Sequence, residues 1–251
     1  MAARESKENK ENKEKKKKRP TVVLFVRHGN TPTTGKELPG QGRGLHLSET
    51  GRAEAERVAA RLGELPPGTI SAVYASQLER AGETAAAIAG VLGLEVAVDP
   101  DLADADTGEW TGRPLKELAK LPEWREMLSW PNGFRFPGGE STWELNARVG
   151  AVIERLRQHH EGQVVVAVSH ADPIKVAIGS ALGSPVEFRD RVLVSTCSVT
   201  AISYGPHGAN VLAVNSAGDM DRLGLNSYAS TSGNGAAGES TAPATATAAP
   251  R

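Results

Sequence analysis

The sequence predicts an α/β fold in which a mostly parallel sheet carries helices on both faces. Three observations predict it. Short β-rich runs alternate with helix-length segments. Several of those runs lack polar alternation, as strands buried on both faces do. In the intervening segments apolar residues return every three or four positions, the spacing of a core-facing helix. A length of 251 residues is ample for a sizeable core in one large domain or two small ones.

The first nineteen residues hold nine basic and four acidic side chains, and no apolar residue occurs from Glu5 to Arg19. Such a tract buries nothing and is expected to be a solvated tail over residues 1–20, with an anion- or nucleic-acid-binding arm as its other use. Thr21 to Val26 is the first strand. Its six residues run straight into Arg27 and His28, too short for the ~7–15 residues of a signal-peptide core. Ala55, Val58, Ala59 and Leu62 mark a helix, Ile70 to Tyr74 a strand, and Ala81, Ala85, Ile88 and Leu92 the next helix. Glu95 to Val98 is a third strand. Leu145, Val149, Val152, Ile153 and Leu156 form a helical face, followed by the strand Val164 to Val168 and a helix through Ile174, Ala177, Ile178 and Ala181. Asp172 before Pro173, and Ser184 before Pro185, read as capping side chains ahead of a first-turn proline. Val199 to Tyr204 and Val211 to Asn215 complete the strands. Ser227 to Arg251, mostly Ala, Thr, Ser and Gly, is a second tail. The expected domain therefore runs over 21–226.

Within it, the text from about 110 to 142 differs in kind. Six of the eleven aromatic residues lie between Trp110 and Trp143, interleaved with Arg113, Lys116, Lys120, Arg125 and Arg135. This insertion reads either as a small helical lid over an anionic ligand or as a helical subcluster packed on the main core with its basic residues solvated.

Composition narrows the function. The whole chain has 29 Lys and Arg against 30 Asp and Glu, which leaves net −6 outside the first nineteen residues. One cysteine, Cys197, rules out an internal disulfide framework and suits a reducing, cytoplasmic home. No Cys/His cluster has metal-site spacing, and no run approaches the ~18 apolar residues of a membrane span. Oligomeric state has no signal here.

Chemistry concentrates at strand ends, where open α/β sheets bind ligands. The first strand delivers Arg27, His28, Gly29, Asn30 and Thr31; Ser76 to Arg80 follow the second; Ser169, His170, Ala171 and Asp172 follow the Val164 to Val168 strand. Two histidines and two arginines just past separate strands have the composition of a phosphate pocket, with guanidinium forks for the oxygens and a helix N-terminus that favours anions.

These residues carry a family resemblance. Arg-His-Gly-x-Thr at Arg27 to Thr31, Leu-x-Arg-Ala-x-x-Thr-Ala at Leu78 to Ala85, Gly-Glu-Ser at Gly139 to Ser141 and Ser-His at Ser169 and His170 are similar to the histidine phosphatase, or phosphoglycerate mutase-like, superfamily. The resemblance covers about Thr21 to Arg222 and implies that family's three-layer α/β fold. It implies His28 as a nucleophile forming a phosphohistidine, with Arg27, Arg80 and His170 clamping phosphate oxygens and Asn30 and Ala171 as further substrate contacts. It implies no metal and no cofactor. Asp104 takes the place of the acid/base carboxylate, commonly Glu in the family, with Asp106 and Glu109 as alternatives. The expected activity is a phosphomonoesterase acting on a small phosphate ester, with a phosphomutase as the alternative and a non-catalytic phospholigand-binding module as a third class. Glu140 and Ser141 are expected to orient the pocket or cap the following helix, Lys175 to be solvated or a minor substrate contact, and Cys197 to pack.

Overall fold

The computed structural model describes residues 19–186 and 191–218. Both expected tails, except Arg19 and Pro20, lie outside these residues, as does the end of the expected domain beyond Gly218. The helix expected after Ser184 and Pro185 also falls on residues outside them.

Six strands form one sheet: β1 (Thr21–Arg27), β2 (Ile70–Ala75), β3 (Val96–Val98), β4 (Val164–Ser169), β5 (Val199–Gly205) and β6 (Gly208–Ser216). Their order is β3-β2-β4-β1-β5-β6. The β3-β2-β4-β1 part is parallel, β5 runs antiparallel to β1, and β6 pairs antiparallel with β5. The sheet is therefore mixed, with its parallel part at the centre and one edge.

Alternate residues of the central strands feed two separate cores, which explains why these strands show no polar alternation. Val23 and Phe25 of β1, with Val165 and Ala167 of β4, pack under helices α5 (Thr142–His159) and α6 (Ala171–Leu182). Leu24 and Val26, with Val166 and Val168, pack under α1 (Glu49–Gly63) and α2 (Glu79–Leu92). The result is three layers.

Helix ends follow local chemistry. Ser48 caps α1 by accepting from Gly51 N at 3.0 Å. Ser141 and Glu144 form a reciprocal capping box at the start of α5, as Ser141's position suggested. Helices α2 and α6 end at Gly93 and Gly183, both left-handed, a conformation that costs glycine nothing sterically. Helix α6 corrects one expectation. Its cap is His170, so Asp172 lies inside the first turn and Pro173 sits at the third helical position, where its missing N–H is still an orphan.

The insertion contains two short helices, α3 (Leu115–Leu118) and α4 (Pro122–Ser129). Trp110, Phe134 and Phe136 are buried with ring centroids 5.3–5.7 Å apart, and Trp124 lies 5.8 Å from Trp110. These rings belong to the α5/α6 core. Lys116, Lys120, Arg125 and Arg135 are exposed and Arg113 is half-buried. The subcluster reading fits this placement. The lid reading is not decided by this placement, because Leu115 of the segment also lines the cavity described below.

Among the described residues no helix is long and apolar enough to cross a membrane.

Candidate active site

Two adjacent parallel strands create the site. Arg27 at the end of β1 is in register with Ser169 at the end of β4, so the next residues, His28 and His170, emerge side by side. Parallel strands lie ~4.8 Å apart, and the two imidazole centroids are 5.0 Å apart. The helix after β1 packs on one face of the sheet and the helix after β4 on the other, so a crevice opens between them at the carboxyl ends.

His28 is 3% exposed. Its Nδ1 donates to Gly29 O at 2.7 Å, which fixes the tautomer and leaves Nε2 with an unprotonated lone pair. Burial, then the charges of Arg27 and Arg80, push its pKa well below the ordinary value, so the ring is neutral at physiological pH with the Nε2 lone pair available. The loop carrying it is pressed onto α1. A Cβ at Gly29 would meet Gly51 O at 2.6 Å, and one at Gly51 would meet Asn30 O at 2.0 Å. Gly29 N also donates to Thr84 Oγ1 at 3.0 Å, and that hydroxyl donates to Arg80 O at 2.8 Å. The threonine of the Leu-x-Arg-Ala-x-x-Thr-Ala motif thus binds the His28 loop to the helix that carries Arg80.

Arg80 has no exposed surface. Its Nη2 donates to Gly40 O at 2.7 Å, its Nη1 to Gly42 O at 3.3 Å, and Nη2 lies 3.5 Å from Asp104 Oδ2. On the other side of His28, Arg27 Nη1 donates to Val194 O at 2.7 Å. His170 is fully buried, and its Nε2 is 2.8 Å from Ser76 Oγ. Ser76 Oγ also accepts from Leu78 N at 3.4 Å, and with a second lone pair and its own proton it can either accept from or donate to Nε2; the ring's other nitrogen is Nδ1. That atom lies 3.7 Å from Asp104 Oδ2. Three buried polar atoms around His28 have no hydrogen-bond partner: Arg27 Nε, Arg80 Nε and His170 Nδ1. Leaving a buried donor unpaired costs about 1–3 kcal/mol, so the two arginine Nε atoms beside His28 mark a place suited to acceptor oxygens; of these residues Arg27 lines the adjoining cavity, whereas Arg80 and His170 are not among its described lining residues.

Asp104 completes the group. Its carboxyl is raised to about 6, first by burial and then by the charge of Asp172, against the pull of Arg80. Near neutral pH it exists in both protonation states, which suits a proton donor that must later accept. The alternatives fall elsewhere. Asp106 Oδ1 accepts from Gly108 N at 3.0 Å and Asp106 N donates to Glu140 Oε1 at 2.8 Å, while Glu109 is exposed. Asp104 is the one of the three that lines the cavity.

What holds the Asp104 loop in place is a residue the motifs did not single out. Arg148, one face of α5, donates Nη1 to Asp101 O at 2.7 Å and Ala103 O at 2.9 Å, and Nη2 to Asp104 O at 3.1 Å. Its charge is met by Glu140 Oε1 at 2.7 Å, which realises the orienting role expected of Glu140. Gln41 Nε2 also donates to Asp104 O at 3.0 Å. Arg148's position beside the apolar face of α5, following Leu145, was the available signal.

A cavity of about 240 Å³ opens over His28, Arg27 and Asp104, with Ala171 and Asp172 at the start of α6 on one side. The other wall is the loop from Thr31 to Pro39, which sequence reasoning passed over, together with Leu115, the single contribution of the 110–142 insertion to the lining. Asn30 Oδ1 accepts from Ser48 Oγ at 2.8 Å, and Asn30, like Arg80 and His170, is not among the described residues lining the cavity. Lys175 Nζ lies 3.6 Å from Asp172 Oδ1, and Cys197 is buried. Among the described residues, no group of three or more His, Cys, Asp or Glu side chains is arranged to hold a metal ion.

Residues 23–217 match the histidine phosphatase superfamily (branch 1). A bifunctional protein of Mycobacterium tuberculosis strain H37Rv is 34% identical over 203 residues, covering 79% of this chain and 55% of that protein, so the chain spans about half the length of the mycobacterial relatives it matches. A Yersinia enterocolitica protein named "Probable phosphoglycerate mutase GpmB" is 31% identical over 208 residues, 81% of this chain and 95% of that one. Among solved structures, a mycobacterial glucosyl-3-phosphoglycerate phosphatase in complex with VO3 superposes with a TM-score of 0.70 at 26% identity, covering 78% and 99% of the two chains. The chain belongs to the histidine phosphatase superfamily.

Proposed function

We propose that this member of the superfamily is a phosphomonoesterase that hydrolyses a small phosphate ester through a phosphohistidine on His28, with no metal in the chemistry. The observation that carries the reading is the grouping of Arg27, Arg80 and His170, each with a buried nitrogen that has no hydrogen-bond partner, around a histidine whose Nε2 keeps its lone pair. Phosphoryl transfer asks for positioning and spread positive charge. Arg27 and Arg80 offer the charge, and His170 Nδ1 and the first turn of α6 at Ala171 offer further donors.

In the first step His28 Nε2 forms a bond to phosphorus as the ester P–O bond breaks, and protonated Asp104 gives its proton to the departing oxygen. In the second, Asp104 as carboxylate takes a proton from water, the oxygen attacks phosphorus, and the P–N bond breaks. Inorganic phosphate leaves, His28 is neutral again, and Asp104 is again protonated. The fixed tautomer of His28 and the intermediate pKa of Asp104 support this division of roles.

Brief incubation of the full chain with labelled substrate, quenched without acid, is expected to leave a base-stable, acid-labile phosphoramidate, and His28→Ala to abolish label and turnover together. Label on another residue, or full activity in the variant, would overturn the mechanism. The similarity to a protein named as a phosphoglycerate mutase favours one second reading, in which the same phosphohistidine returns its group to substrate. Interconversion of 2- and 3-phosphoglycerate faster than phosphate release would select it.

A further inference from the structure

Beyond the phosphate clamp, the cavity has a character of its own. Arg27 is the cation among its described lining residues, and it belongs to the phosphate end. Away from Arg27 and His28 the lining consists of Thr31 and Thr34, whose hydroxyls lie 2.9 Å apart, the apolar side chains of Leu38 and Leu115, and two carboxylates on opposite sides, Glu37 and Asp172. The Glu37 side chain has no hydrogen-bond or ion-pair partner among the described residues. Asp172 meets Lys175 only at 3.6 Å.

We propose that the substrate is the phosphate monoester of a neutral or amino-bearing alcohol, and that Glu37 and Asp172 select against leaving groups carrying a second anion. A carboxylate or second phosphate on the alcohol would be brought against two like charges and given no cation in return. A neutral hydroxyl finds partners in the threonines, and an ammonium finds them in the carboxylates. The field of Asp172 already reaches the phosphate end, since it helps to raise Asp104 and opposes the lowering of Arg27 that burial causes. The exposed cations of the 110–142 insertion do not line this part of the cavity. The inference rests on the phosphatase reading and narrows it to a class that excludes phosphoglycerates.

The decisive pair is sn-glycerol 3-phosphate and 3-phosphoglycerate, which differ by a hydroxymethyl group against a carboxylate. With the full chain, kcat/KM is expected to be roughly 10- to 100-fold higher for glycerol 3-phosphate, as like-charge contact in a partly desolvated site predicts, and phosphoethanolamine is expected to match or exceed it. Glu37→Gln and Asp172→Asn should each narrow the ratio by raising turnover of 3-phosphoglycerate. Should a variant not fold, the wild-type ratio still decides. A ratio near or below one, with turnover dependent on His28, would overturn this inference and leave the phosphatase reading standing. Absence of His28-dependent turnover on all three esters would overturn both.

Discussion

Two arginine–carboxylate pairs in this molecule have opposite consequences. At the surface of the insertion, Arg135 and Glu144 meet at 2.7 Å with both side chains about half exposed. In the crevice, Arg80 and Asp104 are separated by 3.5 Å at 0% and 13% exposure. The surface carboxyl falls to about 2, chiefly through its hydrogen bond from Arg135, whereas the crevice carboxyl rises to about 6 because burial outweighs the arginine. Solvation, more than the presence of a cationic neighbour, sets the sign. The closer pair is a screened surface contact; the looser one leaves donors unsatisfied and a carboxyl able to give its proton, and that combination can do chemistry.

The sharpest way to break this comparison is to remove the arginine from each pair. Arg80→Ala should lower kcat/KM by about 10³-fold or more, on the scale of arginines that stabilise phosphoryl-transfer charge. Arg135→Ala should leave turnover and melting temperature within experimental scatter, as for most exposed ion pairs. Similar losses in the two variants would refute the distinction.

Asp104→Asn tests the crevice carboxyl itself. Loss of the proton donor should cost about 10²–10⁴ in turnover of an alkyl ester. With p-nitrophenyl phosphate, whose leaving group departs as the anion, it should instead give a burst of phenol followed by slow turnover. Wild-type kcat/KM on alkyl esters should fall, relative to the variant, as pH rises through about 6, where Asp104 loses its proton. A difference independent of pH would assign the proton to another group.

A smaller effect is expected at Arg148, which touches the loop carbonyls and not the reacting atoms. Misplacing a catalytic group by ~1 Å can cost about 10²-fold. Arg148→Ala should therefore lose about 10- to 100-fold in kcat on alkyl esters and distinctly less in the first step of an aryl ester, with Arg148→Lys partly restoring the alkyl rate. Equal losses on both ester types would make Arg148 a stability residue only.

The smallest effect is thermodynamic. Asp104 binds its proton more tightly in the folded protein than at its ordinary value of 3.8, so folding is penalised as pH rises from about 4 to about 6 and carries the full cost above that. Removing the charge with Asp104→Asn should stabilise the fold above pH 6 by about 2–3 kcal/mol and by little at pH 4. Thermal melts of both proteins across that range measure it; a pH-independent difference would show that the carboxyl is not raised.

Much of this site is legible in the chain alone, for a local reason. A strand that ends in Arg-His and another that ends in Ser-His announce themselves by uninterrupted apolar runs, and parallel pairing then brings the two histidines together. Leu78 to Ala85 starts a helix after β2, which places Arg80 beside them. The same logic recovered Ser141 as a cap. It misplaced the cap of α6, because Asp-Pro resembles a helix start while the extended backbone of His170 begins the helix two residues sooner. It also could not separate a lid from a packed subcluster, since aromatic and basic residues interleave in both.

By itself the sequence determined the layered α/β order, the strands that His28, Arg80 and His170 follow, and the family to which they belong, because strand and helix periodicity and the motif residues are properties of neighbouring positions. Only the tertiary structure decided the rest. It put Asp104, and not Asp106 or Glu109, on the lining of the cavity, gave Arg148 the carbonyls of a loop more than forty residues away, and made the Thr31 to Pro39 loop part of the cavity wall. Burial and electrostatic fields sum over groups far apart in the chain, and a proton's affinity for Asp104 depends on that sum rather than on the residues beside it.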